Sequence, residues 1–184
     1  MSAPEQKSST DNAGGSGNVL RSNRLRFYRS KGKMCVALGD AVLGRDLILN
    51  AFNLKFDEAA YYYYCASMSY RASSRWRDAG ECLVKCAKMY SRMKFDLEAA
   101  VFFTEASDAF YKVDKMESVK SLDAAIAIYC DTGRFDAAGR LEREIASIYF
   151  ILQDWEEAAK HYRKAADFFS GDLYYSQSYC CLEK

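Results

Sequence analysis

A short cluster recurs six times between residues 55 and 184, and it limits what this chain can fold into. Each copy opens on an aromatic or Met residue, usually followed by acidic and small residues. Phe56-Asp57-Glu58-Ala59-Ala60 is the first. Trp76-Arg77-Asp78-Ala79-Gly80, Phe95-Asp96-Leu97-Glu98-Ala99-Ala100 and the weaker Met116-Glu117-Ser118-Val119 follow. Phe135-Asp136-Ala137-Ala138-Gly139 and Trp155-Glu156-Glu157-Ala158-Ala159 complete the series. The period is about 20 residues, which is one helix of about 16 residues plus a tight turn. Two units make a helical hairpin, slightly longer than the ~34 residues of a tetratricopeptide unit. Small side chains one turn into each helix let its neighbours approach closely. Downstream aromatics such as Tyr63, Phe102, Tyr162 and Phe168 then fill the space between helices.

Composition agrees. The only proline of the 184 residues is Pro4, so no helix in the repeat region is broken by a missing amide donor. Asp131-Thr132-Gly133-Arg134, Ser73-Ser74 and Ser170-Gly171-Asp172 stand where helices should stop. Acids gather in the first turns, where free amides favour negative charge. The pattern predicts helices near 57–72, 76–92, 96–112, 116–131, 135–152 and 155–169, with another beginning near 174. The expected fold is all-α: a right-handed, tetratricopeptide-like solenoid of antiparallel hairpins. A four-helix bundle with extra helices is the alternative, but bundles seldom repeat one short cluster at even spacing. The last helix reaches Lys184 without a polar cap, as expected of a fragment, a truncated form or an exposed terminal helix.

The rest of the chain divides in two. Residues 1–18 are small and polar and read as a disordered tail. Residues 19–54 begin with Arg21, Arg24, Arg26, Arg29, Lys31 and Lys33, with no acid among them, and continue into an apolar run. The repeat region carries 18 positive and 21 negative side chains, so the basic bias belongs to the segment before it. A net charge of +1 argues against wrapping a nucleic acid. No run approaches the ~20 apolar residues of a membrane span. The first residues also lack the apolar core of a signal peptide. Seven cysteines scattered among helices read as reduced, packed thiols.

Nothing in the pattern assembles a catalytic site or calls for a cofactor. His161 is the only histidine and has no cysteine paired with it by spacing. It reads as a solvated or packing residue. Cys82 and Cys86 share a helix face, but no second pair completes a zinc site. Cys180 and Cys181 fall on different faces. There is no Gly-rich phosphate loop.

Two longer runs carry a resemblance. Ile128-Tyr129-Cys130-Asp131-Thr132-Gly133-Arg134-Phe135-Asp136-Ala137-Ala138 continues into Ile145-Ala146-Ser147-Ile148-Tyr149. Ala159-Lys160-His161-Tyr162-Arg163-Lys164-Ala165-Ala166-Asp167-Phe168-Phe169-Ser170-Gly171-Asp172 is the second, and Ser178 to Lys184 closes the chain. With these motifs, residues 55–184 resemble the soluble NSF-attachment protein family, of its alpha/beta type. The resemblance implies a non-enzymatic cytoplasmic adaptor, peripheral on membranes of the secretory pathway. Such proteins coat an assembled, syntaxin-type SNARE helical bundle and recruit the hexameric N-ethylmaleimide-sensitive fusion ATPase that pulls it apart. A generic tetratricopeptide-like binding scaffold, or a truncated competitor without ATPase stimulation, is the alternative.

The same resemblance implies sites. Arg134, Arg140 and Lys184 match SNARE-contacting charges, and Arg71 and Lys112 are candidates for the same face. A short apolar loop before the first repeat touches lipid in the family. Leu47, Ile48, Leu49, Phe52 and Leu54 occupy that neighbourhood, although they would equally pack on the first hairpin. Three departures stand out. Cys180 replaces a family lysine, the Arg-rich N-terminal stretch has no counterpart, and the ATPase-contacting C-terminal region that the resemblance leads one to expect is not within residues 1–184.

Overall fold

The computed structural model describes residues 13–44 and 52–170. They form seven α-helices: α1 (Ala13–Leu43), α2 (Phe52–Ala72), α3 (Trp76–Arg92), α4 (Asp96–Phe110), α5 (Lys115–Asp131), α6 (Phe135–Ile151) and α7 (Trp155–Phe169). No strand occurs among the described residues. Extensive contact is confined to consecutive pairs, from α1 with α2 to α6 with α7. The short connections make successive helices antiparallel, so the chain is a stack of helical hairpins.

The turns explain the even spacing. Ser74, Lys94, Gly133 and Gln153 each take positive φ, at 57°, 65°, 73° and 62°. Each stands two residues before the next helix begins, and reverses the chain in the least space. α5 is entered differently. The Asp114 side chain accepts hydrogen bonds from the Met116 and Glu117 amides at 3.2 Å, capping the helix.

Small residues set the register. Ala59 and Ala60, Ala79 and Gly80, Ala99 and Ala100, Ser118 and Val119, and Ala138 and Gly139 are all buried, as is Ala158. They receive rings from neighbouring helices. A Cβ on Gly139 would lie 2.9 Å from the Phe169 ring. The aromatics that open the repeats are looser than their regularity in sequence suggests. Phe95, Phe135 and Trp155 remain about half exposed, at 50%, 51% and 56%. Phe56 is the exception. It is buried in a cluster with Val42 of α1 and Met89 of α3, and α2 begins at Phe52, a turn earlier than its anchor implies.

Polar links tie the layers. The Tyr63 hydroxyl donates to Asp40 Oδ1 at 2.7 Å, and Lys85 Nζ lies 3.2 Å from the same oxygen, joining α1, α2 and α3. The Ser107 and Ser118 hydroxyls meet at 2.9 Å between α4 and α5.

The main departure from expectation is α1. It runs from Ala13, inside the stretch expected to be a disordered tail, through a segment for which the pattern predicts no element. Its packing face is Gly32, Cys35, Gly39 and Val42, spaced three and four residues apart. Two of those are glycines, and the bulk comes from α2. A Cβ on Gly32 would lie 2.8 Å from the Tyr70 ring, and one on Gly39 2.9 Å from the Tyr63 ring. The folded array therefore starts well before residue 55.

Candidate partner-binding surface

The α5–α6 turn carries the arginine that the sequence singles out. Helix α5 closes with the Thr132 hydroxyl donating to the Ile128 carbonyl at 2.8 Å. The Gly133 amide donates to the Cys130 carbonyl at 3.1 Å, and the Arg134 amide to the Tyr129 carbonyl at 2.8 Å. Gly133 has open space around its Cα, so its glycine serves conformation rather than packing. Arg134 is thereby held at the N-cap position of α6 without capping it, and its side chain is exposed. Phe135 behind it stacks on Phe168 of α7 at 6.1 Å. The result is a stiff turn with a guanidinium in solvent.

Arg140 lies six residues on, roughly 9 Å along α6. It is exposed but shares its charge with Asp136, 3.2 Å away. Asp131 also flanks the turn, but only Arg140 of the two makes an ion pair, so Arg134 is the more available cation.

Arg71 and Lys112 do not join them. Helices α2, α4 and α6 run in one direction. Arg71 ends α2 and Lys112 follows α4, whereas Arg134 begins α6. The two groups therefore sit at opposite ends of the array, about 25 Å apart for a 17-residue helix. Arg71 is 3.8 Å from Glu105, and Lys112 Nζ lies 3.5 Å from the Trp76 ring centroid. Those two cations tie repeats together. Lys94, in the α3–α4 turn, shares the Arg134 end and was not singled out by the sequence; alternation of helix direction is the signal that finds it. Lys184 lies outside the described residues.

Of the apolar candidates for lipid contact, Leu47, Ile48 and Leu49 lie outside the described residues. Phe52 is helical, and Leu54 is exposed in the first turn of α2.

The groups with chemical potential are absorbed by packing. Cys82 and Cys86 are buried, and burial pushes each thiol up to about 12. No group of three or more metal-ligating side chains occurs among the described residues. His161 is buried, not solvated. Its Nδ1 lies 2.6 Å from Glu142 Oε2, and its ring stacks on Tyr149 at 5.3 Å. The pair joins α6 to α7. Its 19-residue separation leaves no local spacing by which a sequence could reveal it.

Comparison with known proteins bears on this surface. The family model described as "Soluble NSF attachment protein, SNAP" matches residues 46–184. The bovine beta-soluble NSF attachment protein is 34% identical over 133 residues, covering 72% of this chain and 45% of that protein. The human alpha-soluble NSF attachment protein is 34% identical over 131 residues, covering 71% of this chain and 44% of that protein. A soluble NSF attachment protein homolog of fowlpox virus is 29% identical over 131 residues. The chain spans about half the length of these relatives.

Proposed function

The chain belongs to the soluble NSF attachment protein family, and we propose that it acts as a non-enzymatic adaptor in vesicle-mediated transport. In this reading it binds assembled SNARE bundles and brings to them the hexameric N-ethylmaleimide-sensitive fusion ATPase. The observation that carries the reading is the Gly133-Arg134-Phe135 turn. It presents a cation in a fixed place, at the position where the family resemblance expects a SNARE contact. An exposed guanidinium on a tight turn suits an acidic helical bundle, because its planar fork matches carboxylates and the turn backbone needs no rearrangement on docking.

The adaptor works at a membrane surface, where its partners are anchored. No helix among the described residues is long and apolar enough to cross a membrane. In this reading contact with lipid falls to the N-terminal part of the chain, for which the family resemblance offers Leu47, Ile48, Leu49, Phe52 and Leu54.

A pull-down with a soluble, assembled SNARE bundle tests the proposal. Salt-sensitive retention is expected, with loss on reversing Arg134 and Arg140 to Glu. No retention by the wild-type chain, or retention that the double reversal leaves unchanged, would remove the turn from the interface.

One feature favours a scaffold reading instead. A groove of about 350 Å³ lies between α3 and α5, with Phe103 and Phe110 of α4 in its lining and Lys85, Lys88 and Lys120 beside them. A peptide segment in that groove would leave the Arg134 turn free. The same pull-down separates the two, since the Arg134 and Arg140 reversals would not affect a groove ligand.

A further inference from the structure

Helix α1 leaves an apolar stripe in solvent after its packing against α2 is complete. Leu20, Phe27 and Met34 recur every seven residues, and Leu38 stands one turn beyond Met34, so the four share one side of the helix. They remain 67%, 62%, 57% and 39% exposed. The adjoining side, about a quarter-turn round the helix, is already committed. Gly32 and Gly39 sit so close to the Tyr70 and Tyr63 rings that α1 cannot roll to bury its stripe.

Cations surround the stripe. Arg24 and Lys31 lie along one margin and Arg26 and Lys33 beyond the other, while Arg29 and Arg21 stand farther round the helix. All six are exposed, and no acid occurs between Leu20 and Gly39. The stripe is about 27 Å long at a helix rise of 1.5 Å per residue. An apolar row flanked by basic side chains on a helix that spans nothing is the arrangement of a helix lying in a membrane interface. There the apolar residues enter the acyl boundary and the cations reach the headgroups.

We propose that the outer face of α1 docks the chain onto an anionic lipid surface, with the helix axis in the plane of the membrane. Charge favours this occupant over a second copy of the chain. A second copy would bring the cations along the stripe against their counterparts, whereas acidic headgroups attract them. The inference deepens the membrane part of the function proposed above and moves the contact from the apolar run near Leu47 to α1.

Flotation of the full chain with phosphatidylcholine vesicles, with and without phosphatidylserine, tests this. Wild-type chain should float only with the anionic vesicles and lose binding as salt is raised. Phe27→Ser with Met34→Ser should lower anionic-vesicle binding by at least roughly tenfold, with helicity and melting temperature unchanged because both residues are exposed. Arg24→Gln with Lys31→Gln, which alters no packed residue, should also weaken it. The control Leu47→Ser, Ile48→Ser, Leu49→Ser should retain most binding. Equal flotation by both α1 variants would overturn the inference, as would loss confined to the Leu47 variant; either result would leave membrane contact itself standing. Equal binding to neutral vesicles would overturn the charge argument. Absence of wild-type flotation would defeat this inference and the membrane contact together, without touching SNARE binding.

Discussion

The ring of Phe110 occupies the space that a side chain on Gly80 would need: a Cβ there would lie 2.7 Å from it. Phe110 is at the end of α4 and Gly80 is one turn into α3, so this contact sets how closely the two helices meet. Gly139 of α6 and Phe169, at the end of α7, repeat the arrangement three helices later. A glycine costs helix propensity, and here close packing offsets that cost.

Gly80→Ala should therefore destabilise the chain although alanine is the better helix former. Overpacking costs about 1–3 kcal/mol against about 1 kcal/mol gained in propensity. The mechanism is checked by adding Phe110→Leu, which should recover part of the loss in melting temperature. Gly133→Ala should cost about 1–2 kcal/mol for a different reason, its φ of 73°. No ring substitution should rescue it, because nothing lies within 4 Å.

These contrasts show how far the sequence can be read. The small pairs recur at even spacing, so clusters such as Ala79-Gly80 and Ala138-Gly139 identify six of the helices, with little error in their ends except the start of α2. Helix α1 escapes the same reading. Two of its packing residues are Gly32 and Gly39, and the apolar bulk that buries them belongs to Tyr70 and Tyr63 of another helix. Its outer stripe of Leu20, Phe27 and Met34 is diluted by arginines and reads as a basic segment. The division of the candidate cations was legible in principle. Arg71 and Lys112 close helices that run in the direction Arg134 begins, so counting alternations separates them. The Glu142–His161 pair joins different helices and has no local trace.

That pair is the second place to test the interior. Glu142 and His161 are both buried, and each supplies the other's hydrogen-bond partner at 2.6 Å. His161→Ala should cost about 1–3 kcal/mol, since it leaves the buried Glu142 side chain without its hydrogen-bond partner. Glu142→Gln with His161→Ala should cost less than His161→Ala alone. Chemical denaturation of the four chains gives the coupling. Additive costs would show that the two residues contribute only by packing.

Asp40 gives a pH prediction. The Tyr63 hydroxyl, burial and Lys85 act on it together, and the Tyr63 bond outweighs burial, so its carboxyl is held below the ordinary range. A depressed carboxylate adds stability that is complete above its unfolded value, about 3.9, and is lost as pH falls through the lower folded value. The α1 attachment should therefore loosen below about pH 4. Protection of α1 amides, taken relative to their intrinsic exchange rate at each pH, should fall there before protection in α6. Asp40→Asn should raise α1 exchange at neutral pH and remove its acid dependence. Half of the Asp40 side chain is exposed, so the effect on global stability is small.

The last prediction ranks the two arginines of the proposed SNARE contact. Arg140 already faces Asp136 at 3.2 Å, whereas Arg134 stands free of that neutralisation on a turn whose backbone is fixed by Gly133. A partner's carboxylate must compete with Asp136 for Arg140 but meets Arg134 directly. Arg134→Glu should therefore weaken bundle binding more, by roughly tenfold at low salt, mainly through slower association. Arg140→Glu should act less, and Asp136→Asn, which frees Arg140, should strengthen binding and steepen its salt dependence. Arg71→Glu and Lys112→Glu, at the other end of the array, should change melting temperature more than binding, because their partners are Glu105 and Trp76. Association rates at two salt concentrations measure all five variants. A larger effect from Arg71 than from Arg134 would place the partner at the opposite end of the stack.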